Sequence, residues 1–352
     1  MTTLARSRLV FEKEVILEWA PAVPTPVFDT FWRFAVARQN IFFKKKGGKI
    51  PPWTKDSILS AYKFTNVYRA ADRVSQFLIK NVIYSGIQTE IEIFFRTIFF
   101  KIFNKISTWQ AIEKDVGEIS YSSYSFEKYD KILSNIMNNG FPIFSAAYIM
   151  PSGSGPFREK KKHQSFLKLI EYMMGEKYPQ KIAAASSFQE VFNIFRATPM
   201  IGDFLAYQFS IDINYSNILN FSENDFVIPG PGAKRGIKKC FSNLGGLTDI
   251  EIIALVTKRQ SKEFARLGLT FQTLWGRPLH LIDCQNLFCE VDKYARVAHP
   301  EFSEKIQGKR IKQKYVQVEA PISYWFPPKW GLNEKISQPR QLSFGPVPTN
   351  IF

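Results

Sequence analysis

Cysteine and histidine are scarce in this chain of 352 residues, which has three of each. They are Cys240, Cys284, Cys289, His163, His280 and His299. The cysteines are too few and too irregularly spaced for a zinc ribbon, an iron–sulfur cluster or a disulfide framework, and they favour a reducing compartment. The histidines lie far apart, and neither His-Glu-x-x-His nor Cys-x-x-Cys occurs. We therefore expect no metal ion and no cofactor.

Motifs that hold nucleotides are also missing. The loop PSGSG at residues 151–155 is not followed by Gly-Lys-Ser/Thr, so it is not a P-loop. The chain has neither a protein-kinase glycine loop nor a G-x-G-x-x-G after a strand, and it has no serine nucleophile elbow. The use of ATP therefore has no support in the sequence, and carboxylate chemistry is the class that remains.

Long apolar runs are absent as well. The most hydrophobic stretch, Ile91–Ile106, is interrupted by Arg96, Lys101 and Lys105, which indicates a buried or amphipathic helix rather than a membrane span. The first residues, Met1–Trp19, carry charges throughout and contain no apolar signal segment. We expect no membrane partner and a cytoplasmic, nucleoid-associated location, or a nuclear one in a eukaryote.

Positive charge and phenylalanine are abundant instead. Lys and Arg number 47 and Asp and Glu number 31, which gives 47 − 31 = +16, spread along the chain. This balance favours nucleic acid or another anionic surface as a partner, although a merely basic soluble protein would have the same composition. The 33 phenylalanines favour a folded interior over disorder.

Helical periodicity dominates the apolar pattern, so the sequence predicts an all-α fold. Only Leu279–Ile282 and Tyr315–Val318 are candidates for a minor sheet. We expect two helical subdomains with a cleft between them, and a monomer. The predicted divisions are residues 1–150, residues 151–320 and an extended tail, rich in proline and aromatic residues, at 321–352.

A polar stripe follows the Trp53 region. Asn66, Arg69, Asp72 and Arg73 recur at spacings of three and four, which predicts that they line one face of a helix. Such a stripe is usually a surface ladder of salt bridges. Beside aromatic residues it also fits the polar wall of a pocket for a nucleic-acid base.

The richest stretch runs from Arg196 to Phe241 and contains two glycine-centred turns. The turn Thr198–Gly202 interrupts an apolar helical pattern, which predicts a helix, a tight turn and a second helix. The turn Pro229–Gly232 leads directly into the basic run Ala233–Lys239. Cations at a helix N-terminus oppose the helix dipole, so this run favours a polyanion as partner and predicts a phosphate cradle.

The first of these turns carries a resemblance to a known superfamily. PMIGDFLAYQF resembles a degenerate helix-hairpin-helix turn of the DNA glycosylase superfamily, with Pro199, Ile201, Gly202 and Ala206 matching and Met200 in place of the first glycine. Three further segments, FTNVYRAADRVSQFLIKNVI, FSENDFVIPGPGAKRGIKKC and NLFCEVDKYARVAHP, are similar to the alpha-glutamyl/putrescinyl thymine pyrophosphorylase group and to the helical domain of hydroxymethyl-deoxyuridine DNA kinases. The resemblance spans about Phe28 to Pro300.

The resemblance implies excision of a substituted pyrimidine from DNA. Asp225 lies closest to the position of the superfamily's catalytic aspartate, where it would stabilise an oxocarbenium-like sugar. Asp203 and Phe204 stand where bifunctional members have a Schiff-base lysine, which implies a monofunctional N-glycosylase that leaves an abasic site. The further catalytic candidates are Glu290, Asp292 and Lys293, and the base-reading candidates are Trp53, Asn66, Arg69 and Tyr207. The DNA-binding candidates are Gly202, Gly230, Gly232, Lys234, Arg235, Lys238 and Lys239.

Plainer explanations exist for the same residues. Without the resemblance, Asp225 is better explained as a helix cap or a loop acid, and Glu290, Asp292 and Lys293 fit a buried ion-pair network equally well. At the level of function, the alternative is a non-catalytic DNA-binding module that recognises modified DNA for a partner enzyme. Pyrophosphorolysis or other nucleotide chemistry is the weakest alternative, because no site for a metal or a triphosphate is visible.

Overall fold

Helices make up nearly all of the regular structure in the computed structural model, which describes residues 22–146, 155–302, 311, 313–317 and 322–337. The predicted all-α class is confirmed: within the described residues one antiparallel pair of short strands, β1 (Val23–Pro24) and β2 (Phe241–Asn243), is the only sheet. The first helices are α1 (Pro26–Lys46), α2 (Ser57–Ala61), α3 (Arg73–Phe77), α4 (Glu90–Phe103), α5 (Ile106–Val116), α6 (Phe126–Asn138) and α7 (Lys162–Gly175). They are followed by α8 (Tyr178–Ala183), α9 (Phe188–Arg196), α10 (Asp203–Asn214), α11 (Pro231–Cys240), α12 (Asp249–Arg266), α13 (Leu281–Ala298) and α14 (Asn333–Ser337).

Side-chain caps fix the starts of several helices. The α1 helix begins after Thr25, whose hydroxyl accepts the Val27 amide hydrogen, and Pro26 occupies its first position. The α12 helix begins with a capping box in which Thr248 and Glu251 bond to each other's backbone. These contacts satisfy amide groups that a helix end leaves without an internal partner.

The apolar helix α4 lies at the centre of one group of helices. It packs against α7, α8 and α10, and nearly all of its residues are buried. Phe94 stacks on Phe195 of α9 with the ring planes 5° apart. The prediction of a buried helix is therefore confirmed, and none of the helices within the described ranges is long and apolar enough to cross a membrane.

The long helix α13 is the centre of a second group. It contacts α1, α2, α11 and α12, and its closest partner is α11. A Cβ atom added at Gly236 would lie 2.0 Å from the Phe288 carbonyl oxygen, and one at Gly232 would lie 2.3 Å from the Cys289 sulfur. Glycine is therefore needed at position 236, where the two helix backbones approach closely, whereas at position 232 a side chain would displace the Cys289 sulfur.

Two smaller expectations have different outcomes. Residues Leu279 and His280 lead into the start of α13, and Tyr315 donates its backbone amide to the Ala61 carbonyl (3.0 Å) beside a single bridge between Tyr62 and Lys314. Within the described residues neither predicted segment forms a sheet, because Leu281 and Ile282 begin α13 and Tyr315 follows a single bridge. Val318, the domain boundary near residue 150 and residues 321 and 338–352 of the predicted tail lie outside the described residues, so those divisions stay predictions.

Candidate functional site

The polar stripe does not form one helix face. Tyr68 and Asp72 have extended backbone, so the segment makes a 3-10 turn at Arg69–Ala71 and then the short helix α3. The side chains consequently point to different partners. The Asn66 amide donates to the Ala71 carbonyl (2.7 Å), which commits it to its own loop rather than to a bound base.

Arg69 lies in a closed network of buried charge. Asp212, which is fully buried, accepts Arg69 Nη2 at 2.7 Å and Lys101 Nζ at 3.0 Å. Arg69 also donates to the Gln208 side chain (3.1 Å) and the Tyr215 hydroxyl (3.0 Å). These bonds tie α4 and α10 to the 3-10 turn. Arg69 is 3% exposed and its guanidinium already bonds to Asp212, Gln208 and Tyr215, so its proposed contact with a base stays a prediction.

Asp292 forms a second closed network, between α13 and α11. Its carboxylate accepts Arg235 at 3.1 Å, Lys239 at 3.0 Å and Arg296 at 2.7 Å, and it is 1% exposed. Burial alone would raise the Asp292 pKa, but the bond from Arg296 and the charge of Lys239 outweigh burial and hold the pKa below its usual value. This carboxylate is already matched, which fits the interpretation of a packing network.

Glu290 faces the other way from Asp292. Its carboxylate accepts the Thr65 backbone amide (3.0 Å) and the Lys293 ammonium (2.6 Å). Asn286, one turn earlier on α13, donates to the Asn66 carbonyl (3.0 Å). The predicted Glu290–Asp292–Lys293 cluster is thus divided, because residues two apart on a helix do not share a face.

A group of charged residues with one unpaired guanidinium nitrogen lies next to Glu290. We call Arg38, Lys45, Asp72 and Arg73 the Arg38 cluster. Arg38 Nη2 is 3.4 Å from the Phe64 carbonyl, whereas Nη1 is buried and has no hydrogen-bond partner among the described residues. Burial lowers the pKa of Arg38, although the charges of Asp72 and Glu290 oppose that shift. A buried donor without an acceptor is unusual in a native protein, and a water molecule, an ion or a ligand can supply the missing acceptor.

Lys45 brings aromatic rings to the Arg38 cluster. Its ammonium lies 4.3 Å from the centre of the Trp53 ring and 4.5 Å from that of Tyr315, and it donates to the Tyr315 hydroxyl at 2.8 Å. Burial, together with repulsion from Arg38 and Arg73, lowers the pKa of Lys45 to about 8. Three cations held this close repel one another, so binding of an anion would relieve the repulsion.

Asp72 is the carboxylate of the cluster. Burial raises its pKa to about 7. The hydrogen bond that it accepts from the Asn66 backbone amide (2.7 Å) and the charge of Arg38 oppose the rise. Asp72 is half-buried, so it stays within reach of a bound molecule. A carboxyl group that titrates near neutral pH can accept a proton from a hydroxyl group and release it again.

Other predicted residues lie away from this cluster. Asp225 is exposed on the loop between α10 and α11, while its neighbour Glu223 is buried against Arg277 (2.6 Å) and His280 (3.5 Å). The Tyr207 ring is fully buried and its hydroxyl donates to the Phe226 carbonyl (3.3 Å), so it cannot stack on a base in this structure.

The DNA-binding candidates on α11 fall into two sets. Lys234 and Lys238 are exposed one turn apart, whereas Lys239 is 2% exposed and bonds to Asp292. Gly230 is buried, and a Cβ there would lie 2.8 Å from the Phe204 ring, so its role in this structure is packing. Only the first set can reach a phosphate without rearrangement.

The predicted hairpin is present as a helix, a turn and a helix. The helices α9 and α10 pack together, and Gly202 caps α10. Met200 has a φ of 69°, the left-handed region that glycine adopts at lower cost. Met200 is the position where the resemblance expects glycine.

Sequence reasoning missed Arg38, Lys45 and Tyr315 as site residues. They come from α1 and from the chain after α13, far from Asp72 in sequence. The one available signal in the sequence was the run of lysines at the end of α1, which a short loop connects to Trp53. A surface depression of about 430 Å³ between α5 and α6 offers less chemistry, because Lys105 is the only charged residue that lines it among those the structure describes.

Comparison with known proteins identifies the family. Residues 25–304 match the protein family described as "5-hmdU DNA kinase, helical domain", so the chain belongs to this family. A curated relative, the "5-hmdU DNA kinase" of Bacillus phage SP10, is 26% identical over 337 residues, which is 90% of this chain and 52% of the relative. The chain therefore spans about half the length of this relative. No solved structure matches the chain.

These findings confirm the similarity to the kinase helical domain and overturn the predicted reaction. The prediction of an N-glycosylase, a hydrolase that excises a base, is wrong, because the family and the relative are named as DNA kinases. A kinase transfers a phosphoryl group and leaves the glycosidic bond in place. The alternative of a non-catalytic recognition module has no clear support from them either.

Proposed function

We propose that this chain serves the phosphorylation of 5-hydroxymethyl-deoxyuridine (5-hmdU) in DNA by holding the target nucleotide in the Arg38 cluster. Membership of the 5-hmdU DNA kinase helical family supports the substrate class. The observation that carries the proposal is Arg38 Nη1, which is buried without a partner beside Lys45 and Asp72. A buried unpaired donor costs about 1–3 kcal/mol, which an acceptor on the nucleotide would recover.

The residues present fit the parts of such a nucleotide. A base in the duplex stack cannot reach a protein site, so the nucleotide has to swing out. The uracil ring offers carbonyl acceptors to Arg38, and the aromatic rings of Trp53 and Tyr315 are half-buried beside Lys45 in the same cluster. In this proposal Lys45 binds a flanking phosphate, which would offset its repulsion by Arg38 and Arg73.

Asp72 fits the hydroxymethyl substituent. In this proposal its carboxylate accepts the hydrogen bond of the hydroxyl group and then its proton, while the hydroxyl oxygen attacks the γ-phosphorus of a nucleoside triphosphate and a nucleoside diphosphate leaves. The raised pKa of Asp72, about 7, suits proton transfer near neutral pH. We assign the triphosphate site to a separate kinase part, because the sequence contains none of the nucleotide-holding motifs.

Two further surfaces are proposed to contact the DNA backbone. The hairpin between α9 and α10 is proposed to be a helix-hairpin-helix element that binds phosphate without any base excision. The exposed Lys234 and Lys238 on α11 are proposed to bind phosphates as well. Together they would position the duplex while the Arg38 cluster takes the target nucleotide.

The test is selective binding. We expect the full chain to bind a duplex with one 5-hmdU more tightly than the same duplex with thymidine at that position. Asp72→Ala removes the acceptor proposed for the hydroxymethyl group, so the preference should fall by about 1.5–3 kcal/mol, roughly 10- to 150-fold in the ratio of dissociation constants. Arg38→Met keeps the apolar length of the side chain and loses a contact to carbonyl groups that both bases have, so it should weaken the binding of both duplexes. Fluorescence anisotropy titrations with both duplexes measure this ratio.

A matched control separates the site from general charge. Arg259→Met removes a cation from α12 that pairs with Glu263 (3.1 Å), and it should leave the binding of both duplexes unchanged. The urea unfolding midpoint of each variant establishes that it is folded. Equal affinity of the unaltered chain for the 5-hmdU and thymidine duplexes would refute the proposed function.

A further inference from the structure

The loop between α1 and Trp53 presents an unusual apolar tip. Residues Gly47–Pro52 are all exposed, and Ile50 is 86% exposed, the largest fraction among the large apolar side chains of the described residues. Burying an isoleucine side chain is worth about 1.5–3 kcal/mol relative to exposing it. Ile50 does not gain this stabilisation while it is exposed to water, and it would gain it if a partner covered its side chain.

Hydrogen bonds hold the loop in one conformation. Lys49 donates its backbone amide to the Lys44 carbonyl (3.0 Å), and the Trp53 indole donates to the Lys49 carbonyl (2.6 Å). The Lys44 ammonium closes the ring by donating to the Trp53 carbonyl (2.7 Å). Ile50 therefore stands on a braced loop, so inserting it into a partner costs little conformational entropy.

The charge around the tip indicates the kind of partner. Lys44, Lys46 and Lys49 are exposed, and residues 41–55 contain no acidic residue. The partner is therefore an anionic polymer or surface that also has an apolar interior. Duplex DNA meets both conditions, because phosphates flank the stacked bases and apolar side chains can enter between them.

The position of the loop favours DNA over an anionic membrane. Lys45, at the same end of α1, lies between Trp53 and Tyr315 in the Arg38 cluster. A side chain at the loop tip is thus carried beside the site that receives the target nucleotide. An extruded nucleotide leaves a gap in the stack, and a neighbouring apolar wedge is suited to fill it.

We propose that Ile50 is a wedge that enters the base stack of duplex DNA beside the extruded nucleotide and holds the gap open. This inference rests on the proposed function, because it needs the nucleotide to leave the stack. The exposed lysines of the loop bind the phosphates on either side. The wedge has no role on single-stranded DNA, where there is no paired stack to separate.

The experiment uses the full chain and a duplex with 2-aminopurine next to a single 5-hmdU. We expect its fluorescence to rise on binding, because 2-aminopurine is quenched while stacked. Ile50→Ser should abolish the rise and weaken duplex binding about tenfold, and it should leave single-strand binding within about twofold. Ile87→Ser is the matched control, because Ile87 is also exposed (49%) on another surface, and it should behave as the unaltered chain.

The outcomes separate the two proposals. An undiminished fluorescence rise with Ile50→Ser overturns the wedge, and a preference for 5-hmdU that persists in that experiment leaves the proposed function standing. If the unaltered chain shows neither the rise nor the preference, both proposals fail. If Ile50→Ser instead loses binding to phosphatidylglycerol vesicles and keeps the fluorescence rise, the loop binds membrane and the wedge is overturned.

Discussion

Asp292 and Asp72 are two carboxylates in contrasting surroundings. Asp292 lies 1% exposed among three cations, and its pKa is held below the usual value. Asp72 is half-buried, accepts one backbone amide, and burial raises its pKa to about 7. The difference teaches that partner number, rather than burial alone, separates a structural charge from one available for chemistry.

The cations around Asp292 and those of the Arg38 cluster also differ in their partners. Lys239 and Arg296 each meet the Asp292 carboxylate directly, at 3.0 and 2.7 Å. In the Arg38 cluster, one terminal nitrogen of Arg38 has no partner among the described residues, and the charges of Arg38 and Arg73 repel Lys45. The first region is complete within the protein, and the second gains from a bound anion.

Removing Asp292 from its network of cations should have the largest effect on stability. Asp292→Ala leaves the Lys239 ammonium buried without a counter-charge, so we expect a loss of about 3–5 kcal/mol in the free energy of unfolding. Urea denaturation monitored by circular dichroism measures it. Asp115→Ala, at an exposed position on α5, should stay within about 0.5 kcal/mol. A loss below about 1 kcal/mol for Asp292→Ala would show that Asp292 does not stabilise the fold as proposed.

A pH series sharpens the comparison of the two carboxylates. The folded-state pKa of Asp72 is raised to about 7 from 3.8, so the folded protein resists its ionisation and loses stability as pH rises from about 4 to 7. Asp72→Asn should remove this loss, which we expect to be on the order of 1 kcal/mol because solvent screens a half-buried group. Urea midpoints at pH 5 and pH 8 measure it.

Asp292→Asn should change the pH profile in the opposite direction. The folded-state pKa of Asp292 is lowered, so its contribution to stability is present above its unfolded pKa and is lost as pH falls through the lower folded value. At neutral pH the unaltered chain should therefore be more stable to unfolding than Asp292→Asn and less stable than Asp72→Asn. Both differences in the free energy of unfolding should become smaller at acid pH. Parallel profiles for the two variants would contradict the assignment of the two carboxylates.

The smallest expected effect compares neighbouring lysines on α11. Lys238 is exposed and Lys239 is bonded to Asp292, so only Lys238 is proposed to bind a DNA phosphate. Lys238→Gln should reduce the slope of log affinity against log salt by about 0.9 on duplex DNA. Lys239→Gln should leave that slope unchanged, and anisotropy titrations at several salt concentrations distinguish the two. Equal slopes for both variants would remove α11 from the DNA surface.

Sequence reasoning succeeded where the signal is local. Apolar periodicity predicted the helical class, and the break at Thr198–Gly202 predicted the turn between α9 and α10. It failed for the polar stripe at Asn66–Arg73, because extended backbone at Tyr68 and Asp72 breaks the helix that equal spacing assumes. It also grouped Glu290 with Asp292, which face different neighbours.

The predicted reaction failed for another reason. A hairpin resemblance reports a way of binding DNA, and fold likeness does not determine chemistry. Asp225, the residue that carried the excision mechanism, is exposed on a loop, and the adjacent Glu223 is the buried acid. The family match overturned the predicted excision, and the Arg38 cluster is where we propose that the target nucleotide binds.

The sequence by itself determined the helices, the excess of positive charge and the basic loop at the end of α1. These depend on residue type and on spacings of a few residues, which any stretch of the chain carries within itself. Only the tertiary structure decided which carboxylate is matched by cations and which stays available. Arg38, Asp72 and Glu290 meet through packing of distant segments, and desolvation at that meeting point sets their pKa directions.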